Sequence, residues 1–232
     1  MTVYALPQEP HVFPDPEEAD PDGLVAVGGD LAPRRLLAAY SQGIFPWYSE
    51  TTPILWWSPD PRLVLFPREL HVPRSLRRVL NSGRFEITLD ADFQSVISAC
   101  SVTPRPGQYG TWLLPEMIQA YVRLHQMGLA HSVEAWQDGR LVGGLYGVAL
   151  GRAFFGESMF FREPDASKVA LVRLVGYLKS KGFVLLDCQQ TTQHMLRFGG
   201  REVARRRFLE MLRRAAAQPW PADRWSMPAD RS

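Results

Sequence analysis

The sequence predicts an α+β protein built on a mixed sheet, and three observations carry that prediction. HSVEAW, LVGGLYGVAL and AFFGESMFF (131–136, 141–150 and 153–161) follow one another and are rich in β-forming residues. Asp138-Gly139 stands between the first two, a strong signal for a tight hairpin. A helical pattern through about Lys181 then leads into the apolar run FVLLDC, so the last strand rejoins the sheet after a helical crossover.

The elements follow in order. Residues 1–63 are dense in turns and aromatics; FPDPEEADPDG reads as irregular backbone. GLVAVGGDL is a short apolar run, and Asp30 is placed to cap the helix carrying Leu36, Leu37 and Tyr40. Pro46, Pro53, Pro59 and Pro61 forbid long regular elements in the stretch that follows. From about residue 64 the pattern becomes regular. SLRRVL is helical in period, FEITL strand-like, and 92–100 and 115–127 show helical spacing, with Met117, Ile118, Tyr121 and Leu124 on one face. Asp165 is placed as the N-cap of the helix carrying Val169, Val172, Val175 and Leu178, and Gly182 ends it. Helical stretches near 191–198 and 204–216 close the chain's regular part.

Composition bounds the function. In 232 residues, 46% are hydrophobic and 22% charged, which excludes a wholly disordered chain. No apolar run approaches the roughly 18 residues of a membrane span. The opening MTVYALPQEP shows no leader pattern, and two cysteines, Cys100 and Cys188, cannot build a disulfide framework or Cys-rich zinc site. A cytoplasmic protein with reduced thiols is expected. No HExxH, Walker A or GxGxxG spacing occurs, so metal hydrolase, nucleotide and dinucleotide chemistry lack support. The net charge of +2 hides an uneven distribution: residues 1–30 hold seven acids and no Lys or Arg, whereas 62–84 hold six arginines against Glu69 alone. Arg74, Arg77 and Arg78, three and four apart, can present a positive stripe to phosphates, although a merely solvated helix face reads the same way.

Leu185-Leu186-Asp187-Cys188-Gln189 is the most informative segment. Polar residues ending an apolar strand lie where open sheets bind ligands. Alternation along the strand puts Asp187 and Gln189 on one face and turns Cys188 away, which argues against a Cys188–His194 nucleophile pair. Glu157 lies amid apolar neighbours in FFGESMF, so it either pairs with a core arginine or waits for a cationic ligand.

Taken together, GGDL (28–31), GIFPWY (43–48), ILWWSPDPR (54–62), GTW (110–112), HSVE (131–134), LVGGLYGV (141–148), GESMF (156–160), DASK (165–168) and DCQ (187–189) resemble the leucyl/phenylalanyl-tRNA–protein transferase family. The resemblance implies a small N-terminal domain (1–63) followed by a catalytic domain (64–232) similar to the GNAT acyltransferases, with a mixed sheet flanked by helices. It implies transfer of Leu or Phe, less often Met, from aminoacyl-tRNA to the N-terminal Arg or Lys of a protein, which marks that protein for N-end-rule degradation. By the same resemblance Asp187 and Gln189 form the catalytic pair. Leu145, Phe154, Leu174 and Leu186 line the aminoacyl pocket, with Tyr40, Trp47, Trp112 and Tyr121 around the terminal adenosine and pocket mouth. Glu157 is the acid beside the site, and Arg74, Arg77, Arg78 and Arg84 bind tRNA. No cofactor or metal, no membrane and a monomer are expected. A CoA-dependent acetyltransferase is the rival enzyme, but ESMFFREPDASK lacks the glycines of a pyrophosphate loop; a noncatalytic tRNA-binding adaptor would not need Asp187 and Gln189 together.

Overall fold

A computed structural model describes residues 4–103, 113–219 and 225–226. Two sheets organise them. The smaller contains β1 (Tyr4–Leu6), β2 (Leu24–Gly28), β3 (Phe45–Pro46) and β4 (Leu55–Trp57) in the order β1-β2-β4-β3, with α1 (Pro33–Ser41) against it. The prolines keep these strands short, as the sequence requires. Asp30 does not cap α1: Pro33, with no N–H to offer, begins the helix. The Asp30 carboxylate instead accepts the Ala32 N–H at 2.7 Å and faces Arg35 at 3.3 Å.

The larger sheet has seven strands in the order β11-β5-β10-β9-β8-β7-β6. They are β5 (Arg62–Leu65), β6 (Glu86–Leu89), β7 (Ala130–Gln137), β8 (Arg140–Leu150), β9 (Ala153–Phe161), β10 (Leu185–Gln189) and β11 (Arg201–Val203). Asp138 and Gly139 make the β7–β8 turn with φ of 51° and 69°, the left-handed pair that a two-residue hairpin demands. In this sheet β9 and β10 pair in parallel, and the other neighbouring strands are antiparallel. The link between β9 and β10 is α5 (Ala166–Ser180), the anticipated helical crossover, and Gly182 follows it at φ 76°. Asp165 precedes α5 but does not cap it; its own φ is 70° and its carboxylate takes the Lys168 ammonium at 2.7 Å.

Strands β5 and β11 carry no pattern the sequence reading separated from the loops around them. Each has only three or four residues and owes its conformation to pairing across the sheet. The other helices are α2 (Arg74–Asn81), α3 (Phe93–Ser101), α4 (Pro115–Gln126), α6 (Gln193–Arg197) and α7 (Arg205–Ala216).

The sheet divides two apolar clusters. On one face Tyr40, Tyr121, Tyr146, Phe155 and Phe208 pack with residues of the small sheet, α1, α3, α4 and α7. On the other, Leu145, Phe154, Leu174 and Leu186 pack with the rest of α5 and with Leu76 of α2. No helix among the described residues is long and apolar enough to cross a membrane.

Candidate active site

The site is a fork between β9 and β10. Their parallel pairing runs from Leu185↔Ala153 to Asp187↔Phe155 and stops there, although β9 continues to Phe161. Two irregularities adjoin the fork. On the β8 side the register slips between Tyr146↔Ser158 and Gly147↔Gly156, leaving Glu157 as the extra residue. On the β5 side it slips between Asp187↔Val64 and Gln189↔Leu63, leaving Cys188 as the extra residue. Bulges of this kind bend a strand and re-aim its side chains. Gly147 permits the first one: any Cβ there would run into the Phe155 carbonyl and the Phe154 ring.

A chain of hydrogen bonds crosses the fork. The hydroxyls of Tyr40 and Tyr121 lie 2.6 Å apart, and Tyr121 donates to Glu157 Oε2 at 3.0 Å. The Gln189 amide donates through Nε2 to Glu157 Oε1 at 2.8 Å. The Gln189 backbone N–H donates to Asp187 Oδ1 at 2.8 Å. Asp187, fully buried, is gripped by Arg62 through Nε–Oδ1 at 2.9 Å and Nη2–Oδ2 at 2.7 Å. Gln189 sits at φ 62°, a left-handed conformation that costs a non-glycine residue about 1 kcal/mol and persists only where neighbours enforce it.

Burial sets the electrostatics. It pushes the Glu157 carboxyl up to about 7, against the pull of hydrogen bonds from Tyr40, Tyr121 and Gln189, and the Asp187 charge adds to the rise. Burial and the Glu157 charge raise both tyrosines well above 10, so each remains a neutral hydroxyl. Burial likewise raises the Cys188 thiol and lowers His194. Cys188 is therefore a poor thiolate, in keeping with its turning away from Asp187.

Several sequence expectations meet here and others change. Asp187, Gln189, Glu157, Tyr40 and Tyr121 come together. Glu157 does not take the core arginine, which goes to Asp187; its partners are Tyr121 and Gln189. Asp187 is consequently not an open charge for a cationic substrate: its two oxygens are committed. Leu145, Phe154, Leu174 and Leu186 lie within 3% of full burial and belong to one cluster, across the sheet from Asp187. Trp47 is exposed and packs edge-on to Trp57 with centroids 6.0 Å apart. Trp112 lies outside the described residues. Arg74, Arg77 and Arg78 are exposed on α2 opposite the buried Leu76. Arg84 is partly committed: it faces Glu163 at 2.9 Å and lies over the Phe85 ring. Arg62 is the residue that sequence reasoning passed over. It closes the SPDPR run, and its signal was indirect: a buried Asp187 needs a cation.

The chain matches the family model described as leucyl/phenylalanyl-tRNA protein transferase over residues 64–213, and that family's N-terminal domain over 29–60. A leucyl/phenylalanyl-tRNA–protein transferase of Anaeromyxobacter dehalogenans (strain 2CP-C) is 59% identical over 229 residues, covering 99% of this chain and 98% of its own. One from Oleidesulfovibrio alaskensis (strain ATCC BAA-1058 / DSM 17464 / G20) is 60% identical over 233 residues, covering 98% and 94%. Among solved structures, a GCN5-related N-acetyltransferase from Kribbella flavida aligns at TM-score 0.38 and 12% identity, over 74% of this chain and 61% of that one.

Proposed function

The chain belongs to the leucyl/phenylalanyl-tRNA–protein transferase family and is an aminoacyltransferase; from that premise we propose that it moves Leu or Phe, less often Met, onto the N-terminal Arg or Lys of acceptor proteins, marking them for N-end-rule degradation. One observation carries the site assignment: Gln189 and Glu157, from strands that part at the fork, are joined by a hydrogen bond of 2.8 Å.

Aminolysis of an aminoacyl ester is downhill, so the demands on the protein are a neutral amine, alignment and the handling of protons. A carboxylate accepts only, so Glu157 dictates that Gln189 presents Nε2 to it. Gln189 Oε1 then has no partner among the described residues and can hold an N–H of the acceptor's α-amine in line with the ester carbonyl. Glu157, which titrates near neutrality, supplies charge for the incoming ammonium. As the C–N bond forms, the C–O bond to the ribose breaks. The amine gives up a proton and the departing ribose oxygen gains one, through water or the neighbouring ribose hydroxyl.

Leu145, Phe154, Leu174 and Leu186 receive the aminoacyl side chain in this reading. Burying each methylene contributes about 0.8 kcal/mol, so selectivity between Leu and Phe rests on shape. Leu174→Phe is expected to change the ratio of Phe to Leu transferred; an unchanged ratio removes Leu174 from the pocket. Arg74, Arg77 and Arg78 contact tRNA phosphates. Replacing all three by Ala is expected to weaken tRNA binding and to flatten the slope of log K against log salt by roughly 2–3. An unaltered slope removes the stripe from the interface. The reaction itself is tested by following labelled Leu from charged tRNA to an Arg-initiated peptide, with acetyl-CoA as a control donor. Label on the peptide from tRNA alone supports the proposal. Acetylation without aminoacyl transfer overturns it.

A further inference from the structure

The geometry points to Arg62 as a positioning residue for aminoacyl transfer, one that acts by locking Asp187 so that Asp187 can hold the Gln189 backbone; this inference rests on the transferase reading above. Arg62 touches neither Gln189 nor Glu157 through any hydrogen bond among the described residues. It reaches them through one oxygen. Asp187 Oδ1 accepts both Arg62 Nε at 2.9 Å and the Gln189 N–H at 2.8 Å. That second bond spans the register slip and restrains Gln189 in its left-handed conformation. The conformation in turn delivers the Gln189 amide to Glu157.

The surroundings of Arg62 suit a fixed part. Its guanidinium lies between the rings of Phe45, from β3, and Phe208, from α7, at 4.9 and 4.6 Å from their centroids. The side chain is fully buried, and its Nη1 has no partner among the described residues. A buried ion pair with an unmet donor is a poor source of stability, because desolvation offsets the attraction. What the pair supplies is geometry: the planar fork grips both carboxylate oxygens and sets their orientation. Without it Asp187 would be a lone carboxylate in the core with nothing to fix the orientation of its two oxygens. Oδ1 would leave its place opposite the Gln189 N–H, and the Gln189 backbone would lose its restraint.

The test compares wild type, Arg62→Ala and Arg62→Lys in steady-state transfer from Leu-tRNA to an Arg-initiated peptide, with and without added ethylguanidinium or ethylammonium. Melting curves report whether each variant is native at the assay temperature. Misplacing a reacting group by about 1 Å costs on the order of 100-fold. The expected result is therefore a fall in kcat of roughly that size in both variants, with both KM values within about twofold of wild type. Ethylguanidinium should restore kcat of Arg62→Ala by about tenfold or more, and ethylammonium, which lacks the fork, should not. Full kcat in a native Arg62→Ala or Arg62→Lys overturns the inference. So does a defect confined to the peptide KM, which would make this pair part of the acceptor site, and so does equal rescue by the two ions. Loss of the native transition in both variants would make Arg62 a folding residue and overturns it too. Wild-type transfer, measured alongside, reports separately on the transferase reading.

Discussion

Glu134 on β7, fully buried, and Glu157 on β9, half-buried, are two carboxylates on the same sheet, and they meet opposite surroundings. Glu134 accepts from Thr88 Oγ1 at 2.6 Å and Ser132 Oγ at 2.5 Å, and from the backbone N–H groups of Ala91 and Asp92 at 3.4 Å each. These donors are short side chains and main chain, which cannot swing aside. Glu157 accepts from Tyr121 and Gln189, long side chains delivered by α4 and β10. A substrate can replace such partners; it cannot replace the backbone around Glu134. The first carboxylate ties β6, the turn after it and the start of α3 to β7. The second is left poised, with its proton near the point of balance.

Three substitutions would break or sharpen that contrast. The largest effect is expected from Glu134→Ala. Its four donors would lose their acceptor inside the protein, costing about 4 kcal/mol in all. For a chain of this length that lowers Tm by roughly 10 °C. Transfer per native molecule should hold, and a melting curve like that of wild type would deny Glu134 its structural role.

Glu157→Gln comes next. A carboxyl titrating near 4.5 in the unfolded chain and about 7 in the folded one favours the folded state below pH 4.5, where both are protonated. That advantage is lost as pH rises through 7, by at most about 3 kcal/mol. Gln cannot ionise. Urea titrations of this variant at pH 5 and pH 8 should therefore lack this part of the wild-type difference, and its transfer rate should lose the inflection near pH 7. Retention of both features would place the titrating group elsewhere.

Tyr121→Phe is the mildest. It removes one donor that holds the Glu157 proton affinity down, so the inflection should move upward by about half a unit. A downward shift would show that Tyr121 does not stabilise the ionised form.

Part of this site was legible in the sequence. Asp187 and Gln189 do meet, through the Gln189 N–H on Asp187 Oδ1, but across a register slip at Cys188 that local alternation did not foresee; the resemblance to the family singled out Glu157, Tyr40 and Tyr121. Asp187 was legible as a site residue but not in its ion pair. Its partner, Arg62, is 125 residues away, and no periodicity links an arginine at the start of one strand to an aspartate on another over that distance. The same holds for the pocket residues, whose common cluster depends on how α5 lies across the strands.

The sequence by itself determined the order and kind of most elements. The Asp138-Gly139 turn and the stop at Gly182 follow from backbone sterics within a few residues. Tertiary structure alone decided the two register slips, the short strands β5 and β11, the capture of Asp187 by Arg62 and the near-neutral proton affinity of Glu157. Register is a relation between strands, and desolvation is set by every group that excludes water. Neither is a property of any short segment of chain.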